Sequence, residues 1–129
     1  MINTGILNPQ VNFLLSRVRH TDTLVIADRG FPFWPTISSV DLSLVDGVPT
    51  VLQVLAALRP NLPIGRAWMA QEFLRHNPEG TTTAFAEALL GIVLQHKPHL
   101  KFKQRVPFAT GLIRTGDITP YANIILECA

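Results

Sequence analysis

Hydrophobic positions along the chain change their period several times, which predicts alternating helices and strands. After Asn8 and Pro9 the apolar residues recur at helical spacing: Val11, Leu14, Leu15 and Val18. An asparagine cap and a proline at the first helical position both favour a helix start. The pattern therefore predicts an amphipathic helix that ends near His20.

A short, nearly continuous apolar run follows at residues 23–28 and stops at Asp28-Arg29-Gly30. Such a run is typical of a buried strand that is covered on both faces. His20 then precedes the strand and Asp28 stands at its carboxyl end. In open α/β sheets ligands collect beyond the carboxyl ends of strands, which makes Asp28 a candidate site residue.

The rest of the chain continues the alternation without a repeat or a linker. Two prolines and three aromatic residues at 31–35 predict an extended loop. The remaining predicted elements are mixed strand character at 37–44, helices at Val51–Leu58 and 82–96, and strands at Ile64–Ala70, Gly111–Arg114 and 121–127. We therefore expect one α/β domain that spans residues 1–129.

Composition adds an expectation about assembly. The 129 residues are 47% hydrophobic and only 16% charged, and mean hydropathy is +0.26. A domain of this length buries roughly two-thirds of its unfolded surface. That is too little to hide so many apolar side chains, so we expect a homo-oligomer with apolar subunit interfaces.

Charge and targeting signals exclude several other classes. The net charge is +2, and only residues 97–105 are locally basic, so we expect no nucleic-acid partner. The apolar run at 89–94 is too short to span a bilayer, and the first residues do not resemble a signal peptide. The single cysteine, Cys128, fits a reducing compartment. These features predict a cytoplasmic protein without a membrane partner.

Polar side chains at the ends of the apolar strands are the candidate ligand-binding groups. Tyr121 and Asn123 open the last strand and carry a hydroxyl and an amide that can hold a small polar ligand. Each candidate also has a structural interpretation: His20 can interact with a helix end, Asp28 can be a turn residue, and His99 can start a helix. His76 and His96 are interpreted as surface residues.

Motifs of other enzyme classes are missing from the sequence. No HxH, HxxxH or HExxH spacing supports a metal site. No G-x-S-x-G indicates a serine hydrolase, and the glycines do not form the G-x-G-x-x-G of dinucleotide-binding proteins. The sequence therefore gives no local support for a metal site, a serine hydrolase or a dinucleotide-binding protein.

Several short motifs, in order from one end of the chain to the other, resemble the D-ribose pyranase and L-fucose mutarotase (RbsD/FucU) family. They are Thr4-Gly5-Ile6-Leu7-Asn8, His20-Thr21-Asp22, Val25-Ile26-Ala27-Asp28, Asp41-Leu42-Ser43-Leu44, Ile113-Arg114-Thr115-Gly116 and residues 119–126. Each string is weak by itself, but together in one short chain they are specific.

The resemblance implies a three-layer α/β/α domain with a mixed, largely parallel sheet, and an isomerase that interconverts the cyclic forms of a free monosaccharide without a cofactor. It implies that His20 is the general acid/base and that Asp28 binds sugar hydroxyls or orients this histidine. Tyr121, Ala122 and Asn123 would line the sugar pocket, with His99 as a second sugar-binding histidine. Family members form toroidal decamers with sites at subunit contacts, so the resemblance implies a homodecamer.

Two segments bear on which sugar is used. Tyr121-Ala122-Asn123 and the start of the chain resemble the D-ribose pyranase branch. The bulky segment at residues 29–35, with phenylalanine before proline, resembles the L-fucose branch. The alternatives are thus an L-fucose-type mutarotase, or a non-catalytic protein that binds a monosaccharide as a sensor or transport accessory.

Overall fold

The computed structural model describes residues 1–3 and 5–129, so Thr4 of the first motif lies outside the described residues. The elements in chain order are α1 (Pro9–Arg17), β1 (Thr23–Ala27), β2 (Ser38–Asp41), α2 (Val51–Leu58), β3 (Ile64–Ala70), α3 (Gln71–His76), α4 (Glu79–Ala88), β4 (Val93–Lys97), α5 (His99–Arg105), β5 (Gly111–Arg114) and β6 (Ile124–Cys128). None of the described helices is long and apolar enough to cross a membrane.

All six strands form one mixed sheet in the order β2-β5-β1-β6-β3-β4. The pairs β2–β5, β5–β1 and β3–β4 are parallel, and only β6 runs against its neighbours β1 and β3. The carboxyl ends of five strands therefore meet at one edge of the sheet, together with the beginning of β6. We call this edge the carboxyl edge and the opposite one the amino edge.

Helices cover both faces of the sheet. One face packs against α1, α2, α3 and α4 through a large apolar cluster that includes Leu14, Leu55, Phe73 and Phe85. The other face packs against α5 and the 31–37 loop through a smaller cluster around Trp68. This arrangement confirms the three-layer α/β/α fold with a mixed, largely parallel sheet that the family resemblance implied.

Local sequence signals account for the helices that were predicted well. The Asn8 side chain accepts a hydrogen bond from Val11 N at the start of α1. At α2, Thr50 and Gln53 form a reciprocal capping box, in which each side chain accepts a hydrogen bond from the other residue's backbone. The predicted bounds of α2, β3 and β5 agree with the structure.

The predicted helix at 82–96 is wrong beyond Ala88. Helix α4 ends there, Gly91 adopts a left-handed φ of 83°, and Val93–Lys97 forms the edge strand β4. The apolar spacing of residues 85–93 fits a helix, but glycine in this conformation stops it and redirects the chain to pair with β3. The last strand begins later than predicted, at Ile124, because Tyr121 lies in a turn with a φ of 56°.

Candidate active site at the carboxyl edge of the sheet

Four of the predicted site residues come together at the carboxyl edge. Asp28 follows β1, His99 is the first residue of α5 after β4, and Tyr121 and Asn123 lie in the turn that leads into β6. The mixed topology explains this gathering, because β6 starts at the edge where its parallel neighbours end. Residues distant in sequence therefore face one small region.

Asp28 and Asn123 are joined directly. The backbone N–H of Asp28 donates to Asn123 Oδ1 at 2.7 Å, and Gly30 N donates to Asp28 Oδ1 at 3.0 Å. Asn123 itself is buried. Burial raises the pKa of Asp28, although hydrogen bonds from Gly30 and from the Asn123 side chain oppose the rise, and the nearby Asp117 carboxylate adds to it. Asp28 is thus an oriented carboxylate that is poorly solvated.

This pKa shift leads to a testable prediction about stability. Because the pKa of Asp28 is higher in the folded chain, the ionised carboxylate opposes folding at neutral pH, and this cost disappears as the pH falls through the raised pKa. We expect Asp28→Asn to unfold at a higher urea concentration than the wild type at pH 7, with the difference shrinking on acidification. Equal midpoints at pH 7 would contradict this prediction. The control is Glu87→Gln, at an exposed carboxylate on α4.

Beside Asp28, a depression of about 290 Å³ opens at the surface. Its lining comes from two segments: Asp28, Arg29 and Gly30 after β1, and Asp117, Ile118, Thr119 and Pro120 after β5. The buried Asp117 carboxylate holds the second segment, since it accepts hydrogen bonds from Val51 N at 2.8 Å and Thr119 N at 2.8 Å. The walls of the depression are thereby fixed to the start of α2.

Tyr121 stands between two histidines. Its ring centroid lies 5.2 Å from that of His76 and 5.2 Å from that of His99, the latter in an edge-to-face arrangement. The preceding turn is tied to α3, because Asn77 Nδ2 donates to Pro120 O at 2.9 Å. His76, interpreted from sequence as an isolated surface residue, is exposed but in fact belongs to this cluster.

His99 is held both through its backbone and through its ring. Its N–H lies 3.1 Å from both carboxylate oxygens of Glu72, and its ring stacks on Phe102 with an interplanar angle of 12°. Its Nδ1 is buried without a hydrogen-bond partner. Burial and the charge of Lys103 lower the pKa of His99, against smaller opposing effects of Glu72 and Asp28. The imidazole is therefore neutral at pH 7 and can both donate and accept a hydrogen bond.

His20 lies elsewhere in the chain, at the amino edge. It is exposed in the turn before β1, and the next residue, Thr21, donates its N–H to Cys128 O at 2.9 Å. At about 3.3 Å per residue, the five-residue strand β1 separates His20 from Asp28 by roughly 16 Å. A single chain therefore does not bring His20 to the other candidate residues.

Ala122 does not offer a side chain to the depression. It is fully buried and packs in the large apolar cluster with Ile124. The whole residue is 0% exposed, so its backbone does not reach the surface of this chain either. Its N–H makes a 3.3 Å turn bond to Thr119 O.

The bulky loop at 31–35 packs mostly on its own chain. Phe31 is buried with an edge-to-face contact to Phe102, and Trp34 packs against the same cluster. Arg114 Nη2 fixes the loop by donating to Phe31 O at 3.0 Å. Phe33 alone among the three aromatic residues is largely exposed. Phe31 and Trp34 of the bulky segment therefore pack in the core, whereas Arg29 lines the carboxyl-edge depression.

The sequence did not identify Glu72 or His76 as neighbours of the candidate site residues His99 and Tyr121. Both lie on α3, four residues apart and so on one face of a helix, which is the spacing that could have paired them. The segment was not predicted as a helix because it has only six residues and no side-chain cap. Within the described residues, no group of three His, Cys, Asp or Glu side chains is arranged to hold a metal ion.

Residues 1–129 match the model of the RbsD / FucU transport protein family. The chain belongs to this family. A D-ribose pyranase from Geobacillus kaustophilus is 44% identical over 127 residues, which cover 98% of this chain and 93% of that protein. The family resemblance seen in the short motifs is thereby confirmed.

Solved structures of family members agree with the fold. Bacillus subtilis RbsD complexed with D-ribose superimposes with a TM-score of 0.93 at 32% identity, covering 100% of this chain and 98% of that one. A fucose mutarotase from Streptococcus pneumoniae, in complex with L-fucose, has a TM-score of 0.71 at 21% identity and covers 95% of this chain and 93% of that one. At that identity the second likeness concerns the fold alone.

Proposed function

We propose that this protein is a cofactor-independent isomerase that interconverts the cyclic forms of a free aldose, with D-ribose as its substrate. The observation that carries the proposal is the cluster of Asp28, Asn123, Tyr121 and His99 at one sheet edge. The 44% identity to a D-ribose pyranase over nearly the whole chain supports the choice of reaction and sugar.

The chemistry requires two proton transfers. Ring opening removes a proton from the anomeric hydroxyl and delivers one to the ring oxygen as the bond between that oxygen and C1 breaks, which leaves the open-chain aldehyde. Closure through the same or a different hydroxyl reverses both transfers. An imidazole with a pKa near neutrality serves as donor and acceptor, and such catalysis typically contributes about 10² to 10⁴-fold.

The residues of the carboxyl edge suit sugar binding. Asp28 and Asn123 accept and donate hydrogen bonds to hydroxyl groups, and the Tyr121 ring gives an apolar surface with a polar end. His99 offers an unpartnered nitrogen in a neutral imidazole. In the proposal these groups hold the sugar in one orientation, which reduces the entropy cost of the proton transfers.

His20 completes the site from a neighbouring subunit. Its exposure at the amino edge and its distance from Asp28 support this assignment, because the ring can reach a second chain but not its own carboxyl edge. A head-to-tail contact between the two edges would place each His20 against the next chain's Asp28. Repeated contacts of this kind form a ring when the rotation between subunits closes. We further propose that the protein is a homodecamer and that it is located in the cytoplasm.

An L-fucose-type mutarotase is the second candidate, and the phenylalanine of the 31–35 loop is the feature that favours it. That phenylalanine, Phe31, is buried against Phe102 and away from the depression. The buried position of Phe31 weakens this support for an L-fucose-type mutarotase. A non-catalytic binding protein is the third candidate and differs from the first in having no effect on exchange rates.

The deciding experiment is saturation-transfer NMR of anomeric exchange with D-ribose and L-fucose in parallel. We expect the wild-type chain to accelerate exchange between D-ribose pyranose and furanose forms more than exchange of L-fucose anomers. A larger effect on L-fucose would favour the second candidate. Uncatalysed rates with both sugars, together with sugar-dependent shifts in the protein spectrum, would favour the binding protein.

A further inference from the structure

We propose that Glu72 is a positioning residue that holds His99 in its sugar-binding place by accepting the backbone N–H of His99. This inference rests on the proposed function, because it requires His99 to contact the sugar. Glu72 lies on α3, after β3, and His99 begins α5, after the neighbouring strand β4. The contact therefore joins two segments that leave adjacent strands at the carboxyl edge.

The geometry of the contact is symmetric. His99 N lies 3.1 Å from Oε1 and 3.1 Å from Oε2 of Glu72, and no side-chain cap is present at Pro98 where α5 begins. Glu72 thus takes the place of a local helix cap from a distance of 27 residues in sequence. Without Glu72, the His99 N–H at the start of α5 would have no intrahelical partner.

The carboxylate is itself held in place. Arg75 Nη2, one turn further along α3, lies 3.7 Å from Glu72 Oε1, and the Glu72 side chain is only 22% exposed. The residues that follow on α3 fix the other side of the cluster, since His76 packs on Tyr121 and Asn77 binds Pro120 O. Helix α3 is therefore the element that sets the distance between His99 and Tyr121.

The hydrogen bond that Glu72 accepts and the negative charge of its side chain can be removed separately by substitution. Glutamine at position 72 keeps an oxygen that accepts the His99 N–H but removes the negative charge, whereas alanine removes both. The charged groups that act on the His99 ring are Glu72 on α3, Lys103 on α5 and Asp28 after β1. Since Glu72 acts through the backbone, glutamine should preserve sugar binding and alanine should not.

The test compares Glu72→Ala, Glu72→Gln and the control Glu87→Ala, an exposed carboxylate on α4. Anomeric exchange is measured over a range of D-ribose concentrations, and the imidazole pKa of His99 is measured by NMR. We expect Glu72→Ala to raise KM about tenfold with a smaller change in kcat, and Glu72→Gln to stay within about threefold of the wild type. The pKa of His99 should fall in both Glu72 variants and not in Glu87→Ala.

Two results would overturn the inference: an unchanged KM in Glu72→Ala, or equal increases in KM in the alanine and glutamine variants. If Glu72→Ala fails to fold, Glu72→Met takes its place, because methionine keeps the length of the side chain but has no oxygen to accept the His99 N–H. If the wild type does not accelerate exchange, the proposed function fails by itself. The His99 titration and D-ribose affinity then still test whether Glu72 controls His99.

Discussion

Replacing His20 by alanine is expected to lower the catalysed rate of D-ribose exchange by about 10² to 10⁴-fold, which is the usual contribution of a general acid/base. Sugar affinity should change little, because the residues expected to hold the sugar lie at the carboxyl edge of another chain. Stability should also change little, since His20 is exposed in a turn. Saturation-transfer NMR and a urea unfolding curve measure the two effects. His96→Ala, at a half-buried histidine on β4, is the control for the exchange rate.

The same variant also tests whether the site is shared between subunits. His20→Ala and Asp28→Asn are each expected to be inactive alone, because each lacks one half of every site. When the two are unfolded together and refolded as mixed oligomers, some contacts pair an intact His20 with an intact Asp28 of the next chain. For random mixing in equal amounts, about a quarter of the contacts are restored, and we expect activity near that fraction of the wild type.

The absence of any restored activity in the mixed oligomers would contradict a site shared between subunits. If both groups acted within one chain, mixing would restore nothing, because every chain carries one of the two substitutions. An active His20→Ala variant would transfer the acid/base role to another group. His99 would then be the first candidate, since its neutral imidazole already lies beside Tyr121 at the carboxyl edge.

Sequence reasoning succeeded where local signals were strong. The Thr50 cap and the unbroken helical spacing after it define α2, and the apolar runs of β3 and β5 are bounded by polar or turn residues. These signals are local in the chain, and tertiary contacts reinforce them. The position of Asp28 at the carboxyl end of a buried strand followed from the same kind of pattern.

Other features could not be predicted because they depend on long-range contacts. Helix α5 is capped by Glu72, which is distant in sequence, and α3 is too short to show a period. The failure at 82–96 arose because an apolar spacing that fits a helix also fits the end of a helix followed by an edge strand. The sequence also does not show on which side of the sheet the site lies. Only the direction of β6 places Tyr121 and Asn123 beside Asp28, at the edge opposite His20.

Asp117 follows the Thr115-Gly116 pair, and its buried carboxylate accepts hydrogen bonds from Val51 N at the start of α2 and from Thr119 N. The segment that leads to Tyr121 is thereby anchored to the large apolar cluster through a polar contact.

The residue before Asp117 carries the largest expected effect on stability. Gly116 lies against the turn at residues 45–48, where its N–H donates to Pro49 O at 2.9 Å and its carbonyl accepts from Gly47 N at 2.6 Å. A Cβ at this position would overlap the carbonyl oxygens of Val45 and Val48, which are backbone atoms that no rotamer change can move. Gly116→Ala must therefore displace the turn and break both hydrogen bonds.

We expect Gly116→Ala to lower the free energy of unfolding by about 3 kcal/mol or more, because it combines overpacking with the loss of buried backbone hydrogen bonds. The matched control is Gly80→Ala on α4, where a Cβ meets nothing within 4 Å and alanine should raise stability by up to about 1 kcal/mol. Urea unfolding measures the change in both variants.

Gly116 connects the 45–48 turn to Asp117. Gly116→Ala should therefore also weaken D-ribose binding at temperatures where the variant remains folded. A variant as stable as the wild type would mean that the turn moves away freely and does not support the site.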